Sequence, residues 1–158
     1  KSPSAMARRN AVWTLARIDT GASRTAVRAA LDDNDAAVVM TAMQGLSVWR
    51  DAGALGRLLM FLGADNTPYA RMAAEVLGRV GDARAIGPLL AAAGRLGEVK
   101  FTVTGAPEGA ADRALEHSFI YALIEIGRPR ELLAQLTPDA SPRVVRRRTS
   151  ARPSSSSR

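Results

Sequence analysis

The chain predicts an all-α fold, an α-solenoid of about four stacked helical hairpins with an inserted loop at 97–111. Three features of the sequence carry that prediction: a 31-residue internal repeat, apolar residues returning every three or four positions, and turn-forming residues between the periodic segments. The repeat is clearest at the segment endings Leu15-Ala16-Arg17-Ile18, Leu46-Ser47-Val48-Trp49 and Leu77-Gly78-Arg79-Val80, spaced 31 residues apart. A fourth copy, Leu123-Ile124-Glu125-Ile126, follows after 46 residues, one repeat plus an insertion of 15. A second column agrees, with Ala11, Ala42 and Ala73 followed by Phe119.

Each repeat divides into two helices. The first carries an apolar stripe such as Ala73, Val76, Leu77 and Val80. Gly21, Gly53, Gly81 and Gly127 follow it closely and are available for left-handed helix ends. Asp51 and Asp82 stand where a side chain should accept bonds from the free N–H groups of the second helix. Pro129 suits the first turn of the last second helix, where its missing N–H costs nothing. The second helices show an i, i+3, i+4, i+7 stripe: Leu55, Leu58, Leu59 and Leu62, then Ile86, Leu89, Leu90 and Ala93. Between repeats lie Asp32-Asp33-Asn34-Asp35, Asp65-Asn66-Thr67-Pro68 and Pro138-Asp139-Ala140-Ser141-Pro142, all turn-forming and helix-starting. The hairpins therefore fall at about 5–31, 36–62, 68–96 and 112–136, within a solenoid spanning 1–142. A single hairpin cannot bury its apolar faces; stacking buries them against its neighbours. The insertion Gly97–Ala111 holds a short β-prone stretch, Lys100-Phe101-Thr102-Val103-Thr104, and reads as a surface loop or small hairpin.

Charge is distributed unevenly. The formal net charge is +7, yet residues 143–158 carry six arginines and no acid, leaving 16 basic and 15 acidic side chains in the body. A nucleic-acid-binding domain concentrates positive charge on a folded face; here it sits on a serine-, arginine- and proline-rich tail that reads as disordered, or as a truncated or misread coding end. No specific nucleic-acid partner is expected, although such a tail could hold nucleic acid or acidic lipid without sequence preference. No apolar run approaches the roughly 20 residues that span a bilayer. The chain opens on lysine, which suggests an excised or incomplete piece, and it has no cysteine, which excludes disulfides and thiolate metal sites within it.

The run Asp65-Asn66-Thr67-Pro68 through Ala93, with Leu77-Gly78-Arg79-Val80-Gly81-Asp82 and Ala85-Ile86-Gly87-Pro88-Leu89-Leu90, resembles the HEAT-like repeat named after phycobilin lyases. The resemblance covers about residues 5–136 and implies the fold rather than a function. A narrower resemblance rests on Arg8-Arg9-Asn10-Ala11-Val12-Trp13, Val48-Trp49-Arg50-Asp51-Ala52-Gly53-Ala54 and Asp112-Arg113-Ala114-Leu115-Glu116-His117. These are similar to the HEAT segment of large bacterial membrane-bound dehydrogenase-like proteins, in which a propeller precedes the repeats and a c-type cytochrome domain follows. That resemblance implies a periplasmic or membrane-associated parent protein. It transfers no catalytic or haem residue, and no cofactor is expected here.

Few residues suggest chemistry. His117 is the one histidine, beside Glu116; adjacent helix positions diverge by about 100°, so the pair does not converge, and a structural role is expected. No GxxxxGK[ST] or GxSxG motif occurs. Arg24 and Arg28 occupy columns that hold Leu55 and Leu59, then Ile86 and Leu90. They read either as the solvated end of the stack or as a contact with a preceding domain or an anionic ligand. Trp13 and Trp49 share no column and are expected in core or inter-repeat packing. Lys100 and Phe101, in the insertion, join Arg24 and Arg28 as candidate partner contacts. The expected function is a non-catalytic scaffold, spacer or protein-interaction module, its partners being adjacent domains of its own chain or another protein. Two alternatives stay open: a bilin-lyase-like chromophore-binding protein, and nucleic-acid binding through a basic surface and tail.

Overall fold

The computed structural model describes residues 2–63, 66–96 and 110–136. Among them, eight α-helices pair into four hairpins: α1 Ala5–Ile18 with α2 Gly21–Ala29, α3 Ala36–Trp49 with α4 Leu55–Phe61, α5 Thr67–Val80 with α6 Ile86–Arg95, and α7 Ala110–Ile126 with α8 Pro129–Ala134. The first helices lie side by side in chain order, α1 on α3, α3 on α5, α5 on α7. The second helices form the other layer and lean forward, α2 on α3, α4 on α5, α6 on α7. The expected α-solenoid is the fold, and no strand occurs among the described residues. Helix α7 starts at Ala110, two residues before the position read from sequence. The rest of the insertion, Lys100 and Phe101 included, lies outside the described residues, as does everything after residue 136.

Local chemistry explains the helix starts. Ser4, Thr20, Asp35 and Asn66 sit in extended backbone before α1, α2, α3 and α5, and their side chains accept bonds from the first-turn N–H groups. Before α4 and α6 a short 3₁₀ turn intervenes, capped by Asp51 and Asp82, whose carboxylates accept from the N–H groups of Gly53 (2.8 Å) and Arg84 (2.9 Å). The Arg84 guanidinium also donates to Asp82 at 2.6 Å, and these bonds hold the Asp82 carboxyl below its ordinary range. Pro129 opens α8 as expected.

The helix ends depart from the reading in part. Gly81 and Gly127 adopt left-handed backbone, with φ of 74° and 66°. In the first two hairpins the role falls to Asp19 (φ 46°) and Arg50 (φ 50°), not to Gly21 and Gly53. The reason is crowding: Thr20 and Asp51 already cap the next element, which places Gly21 at the first position of α2 and Gly53 within the 3₁₀ turn. Asp19 and Arg50 stand in the same repeat column as Gly81 and Gly127, and Gly21 and Gly53 lie two and three residues further on.

One core runs the length of the stack. Leu46 and Leu77 are fully buried, whereas Leu15 and Leu123, in the same column of the end hairpins, are half-buried. Burying a leucine contributes about 1.5–3 kcal/mol, so this column stabilises the inner hairpins most. Close approach is built in as well. A Cβ added to Gly78 of α5 would stand 2.9 Å from the Ala122 Cα of α7, so the two helices meet backbone to backbone at that point.

Candidate functional site

Arg24 and Arg28 stand on α2, one turn apart and half-buried. Arg24 donates from Nε and Nη2 to the two Asp19 oxygens at 2.6 and 3.0 Å, and its guanidinium lies 5.0 Å from the centre of the Trp49 ring. The Asp19 hydrogen bonds push the Arg24 pKa further up. Arg28 donates from Nη1 to both Asp51 oxygens at 3.0 and 2.8 Å, and from Nη2 to Thr25 Oγ1 at 3.1 Å. Trp49 and Asp51 belong to the following hairpin, so the two arginines clamp hairpin one to hairpin two. Gly53 makes room for this clamp, because a Cβ there would stand 2.8 Å from Arg28 Nη1. A partner acting through Arg24 or Arg28 would compete with bonds already made. Their apolar column gave no hint of this; the acids that meet them lie in a neighbouring turn.

The other sequence candidates separate. Trp49 is half-buried and packs against the core, as expected. Trp13 does not: it is 46% exposed on α1, with the Arg17 guanidinium 5.8 Å from its ring centre. Its column points away from both neighbouring hairpins, and Tyr121 of α7, in the same column, is 67% exposed. His117 is exposed on α7 beside half-buried Glu116, and no group of three His, Cys, Asp or Glu converges among the described residues.

A feature that sequence reasoning missed lies on the outer face of the first helices. A groove of about 650 Å³ runs over α3, α5 and α7, from Thr67, Pro68 and Ala114 to Ala122 and Glu125. Met40, Met72 and Tyr121 supply apolar surface, while Arg71, Glu75 and Glu125 supply charge of both signs. Glu75 pairs with Arg79 at 3.2 Å. Arg71 is exposed and has no ion pair among the described residues. Small apolar pockets flanked by charges of both signs suit a peptide or helix better than a polyanion. One signal was available: Met40 stands in a column where other repeats place Arg9, Arg71 and His117, and Tyr121 in one that holds Trp13, Gln44 and Glu75.

Stacked helical hairpins with an open outer groove define a class, the helical-repeat scaffolds and interaction modules. Within that class, the HEAT repeats family matches residues 1–77, and the PBS lyase HEAT-like repeat family matches residues 70–95. Together they support a HEAT-like repeat protein. Among curated proteins and solved structures, none matches this chain. No helix among the described residues is long and apolar enough to cross a membrane.

Proposed function

We propose that the chain is a non-catalytic scaffold or spacer that docks a protein segment, either an adjacent domain of its own polypeptide or another protein. The groove over α3, α5 and α7 carries this reading, because half-buried Met40 and Met72 with exposed Tyr121, ringed by charges of both signs, form a surface suited to a helix or extended peptide. Its shape is held by the repeat itself, so little ordering cost falls on docking. The sequence likeness to HEAT segments of dehydrogenase-like proteins supports a spacer role between larger domains, with Lys100 and Phe101 as further contacts, whereas Arg24 and Arg28 are engaged within the fold.

The test is selection of binding peptides against the purified chain, followed by affinity measurement on variants. Tyr121→Ala and Arg71→Ala should each weaken the best peptide about tenfold or more, the loss expected of a hot-spot residue. Val48→Ala, equally exposed but outside the groove, should leave affinity unchanged. Peptides indifferent to both groove variants would overturn the reading. Tight binding of a linear tetrapyrrole, lost with Tyr121→Ala, would replace it with a chromophore-binding function.

A further inference from the structure

The groove over α3, α5 and α7 carries charge of opposite sign at its two ends. Arg71 stands near the start of α5, at the end bordered by Thr67 and Pro68. Glu125 stands in the last turn of α7, with its Oε2 3.0 Å from the point where a Cβ on Gly78 would lie. Gly78 follows Arg71 by seven residues in α5, nearly two turns, so the two charged positions are about 10 Å apart along the helix axis. Met72 follows Arg71, and Tyr121 precedes Glu125 by one turn, so apolar surface fills the space between them. Glu75 is already paired with Arg79, whereas neither Arg71 nor Glu125 has an ion pair among the described residues. The columns that supply Tyr121 and Glu125 are exposed inside the stack as well, at Gln44 and at Val48. Their exposure is therefore a property of the repeat.

The walls of the groove are helices, whose main-chain N–H and C=O groups are spent within α5 and α7. They offer no edge to the backbone of an extended peptide. A helix arrives with its own main-chain bonds made and docks by side chains alone. An acid facing Arg71 and a base facing Glu125 share one face of such a helix when two turns separate them, since two turns rise by about that same 10 Å. Given the docking function proposed above, on which this rests, we infer that the groove takes an amphipathic helix. Its apolar stripe lies on Met40, Met72 and Tyr121, flanked by an acid at one end and a base two turns away at the other. A partner with like charges at both ends would set one of the two pairs in repulsion, so a purely acidic or purely basic helix is disfavoured.

Selection of helical peptides against the full chain tests this. Three libraries share a randomised apolar stripe and differ in the flanking pair set two turns apart: Lys with Glu, two Lys, or two Glu. In fluorescence anisotropy at low salt, the best Lys/Glu peptide should bind about fivefold or more tighter than its Lys/Lys and Glu/Glu relatives, and the margin should shrink as salt rises. Arg71→Glu should turn the preference to the Lys/Lys peptide and Glu125→Lys to the Glu/Glu peptide, while Tyr121→Ala weakens all three. Both charge variants lie at exposed positions and should keep the helical circular dichroism of the parent chain. Equal affinity for the three peptides, or a preference that neither variant switches, overturns the inference; if Tyr121→Ala still weakens binding, the docking function survives that result. Helical libraries that yield no binder, where unconstrained peptides do bind in the groove, overturn it in the same way. Binding indifferent to Tyr121→Ala, or no binder from any peptide pool, removes both.

Discussion

Substituting alanine for glycine at two helical positions should have opposite effects. Gly78 lies in α5 and Gly56 in α4, and alanine at either should gain up to about 1 kcal/mol from helix propensity and reduced unfolded-state freedom. At Gly56 nothing stands within 4 Å of the added Cβ, so the gain is kept. At Gly78 the methyl would press on the Ala122 Cα at 2.9 Å, the Glu125 Oε2 at 3.0 Å and the Ala122 oxygen at 3.3 Å. The first and last are backbone, so α5 and α7 must separate, and overpacking of that kind costs about 1–3 kcal/mol. Gly56→Ala should therefore stabilise by about 0.5–1 kcal/mol, while Gly78→Ala should be neutral to destabilising by about 2 kcal/mol. The propensity contribution has the same sign in both, so opposite outcomes point to the backbone contact at Gly78. Urea unfolding followed by circular dichroism measures it, with slopes compared to confirm that only the midpoint moves. If the two variants differ by less than about 0.5 kcal/mol, the scatter of ordinary surface changes, the close approach of α5 and α7 is refuted.

Leu77→Ala should cost about 2–5 kcal/mol in the same assay, since the side chain is fully buried, whereas Leu123→Ala, half-buried at the end of the stack, should cost distinctly less; equal losses would mean that the column is not graded from the middle outward. Asp51→Ala removes a helix cap and the Arg28 clamp together and should destabilise by about 1–3 kcal/mol, while a loss under about 0.5 kcal/mol would leave the clamp without energetic weight. Because the Asp82 carboxyl is held low in the folded state, its contribution is present above its unfolded-state value and disappears as pH falls through the folded one. Melting temperatures from about pH 6 to pH 3 should accordingly fall less for Asp82→Asn than for the parent chain, and parallel decline would contradict this.

How far the sequence could be read follows from what each feature depends on. The hairpins depend on local periodicity and on capping side chains, and both are written in contiguous residues: Asp51, Asp82 and Pro129 do what their positions suggested. The left-handed ends at Asp19 and Arg50 were hidden because glycine lies close by, two and three residues further on, where the next element has already begun. Trp13 was expected in core or inter-repeat packing, yet whether a column meets a neighbouring hairpin depends on how adjacent first helices are offset. The outer groove is harder still to foresee, since it joins residues from three hairpins across that same offset. Arg28 with Asp51 belongs to this kind too: a cation in one helix and an acid 23 residues later meet only once the hairpins stack.

Those two capping aspartates also set how the stack should come apart. Asp51 has its counter-charge in the preceding hairpin, so detaching hairpin one strips the cap of hairpin two of its cation. Asp82 has its counter-charge two residues away in its own turn, so hairpin three keeps a complete cap whether or not hairpin two remains in place. In a linear array governed by nearest neighbours, the first two hairpins are thereby coupled electrostatically as well as by packing, whereas the junction between the second and third relies on packing alone at this position. Fraying from the amino-terminal end should release hairpins one and two as a single unit, and the natural breakpoint of the array falls between α4 and α5.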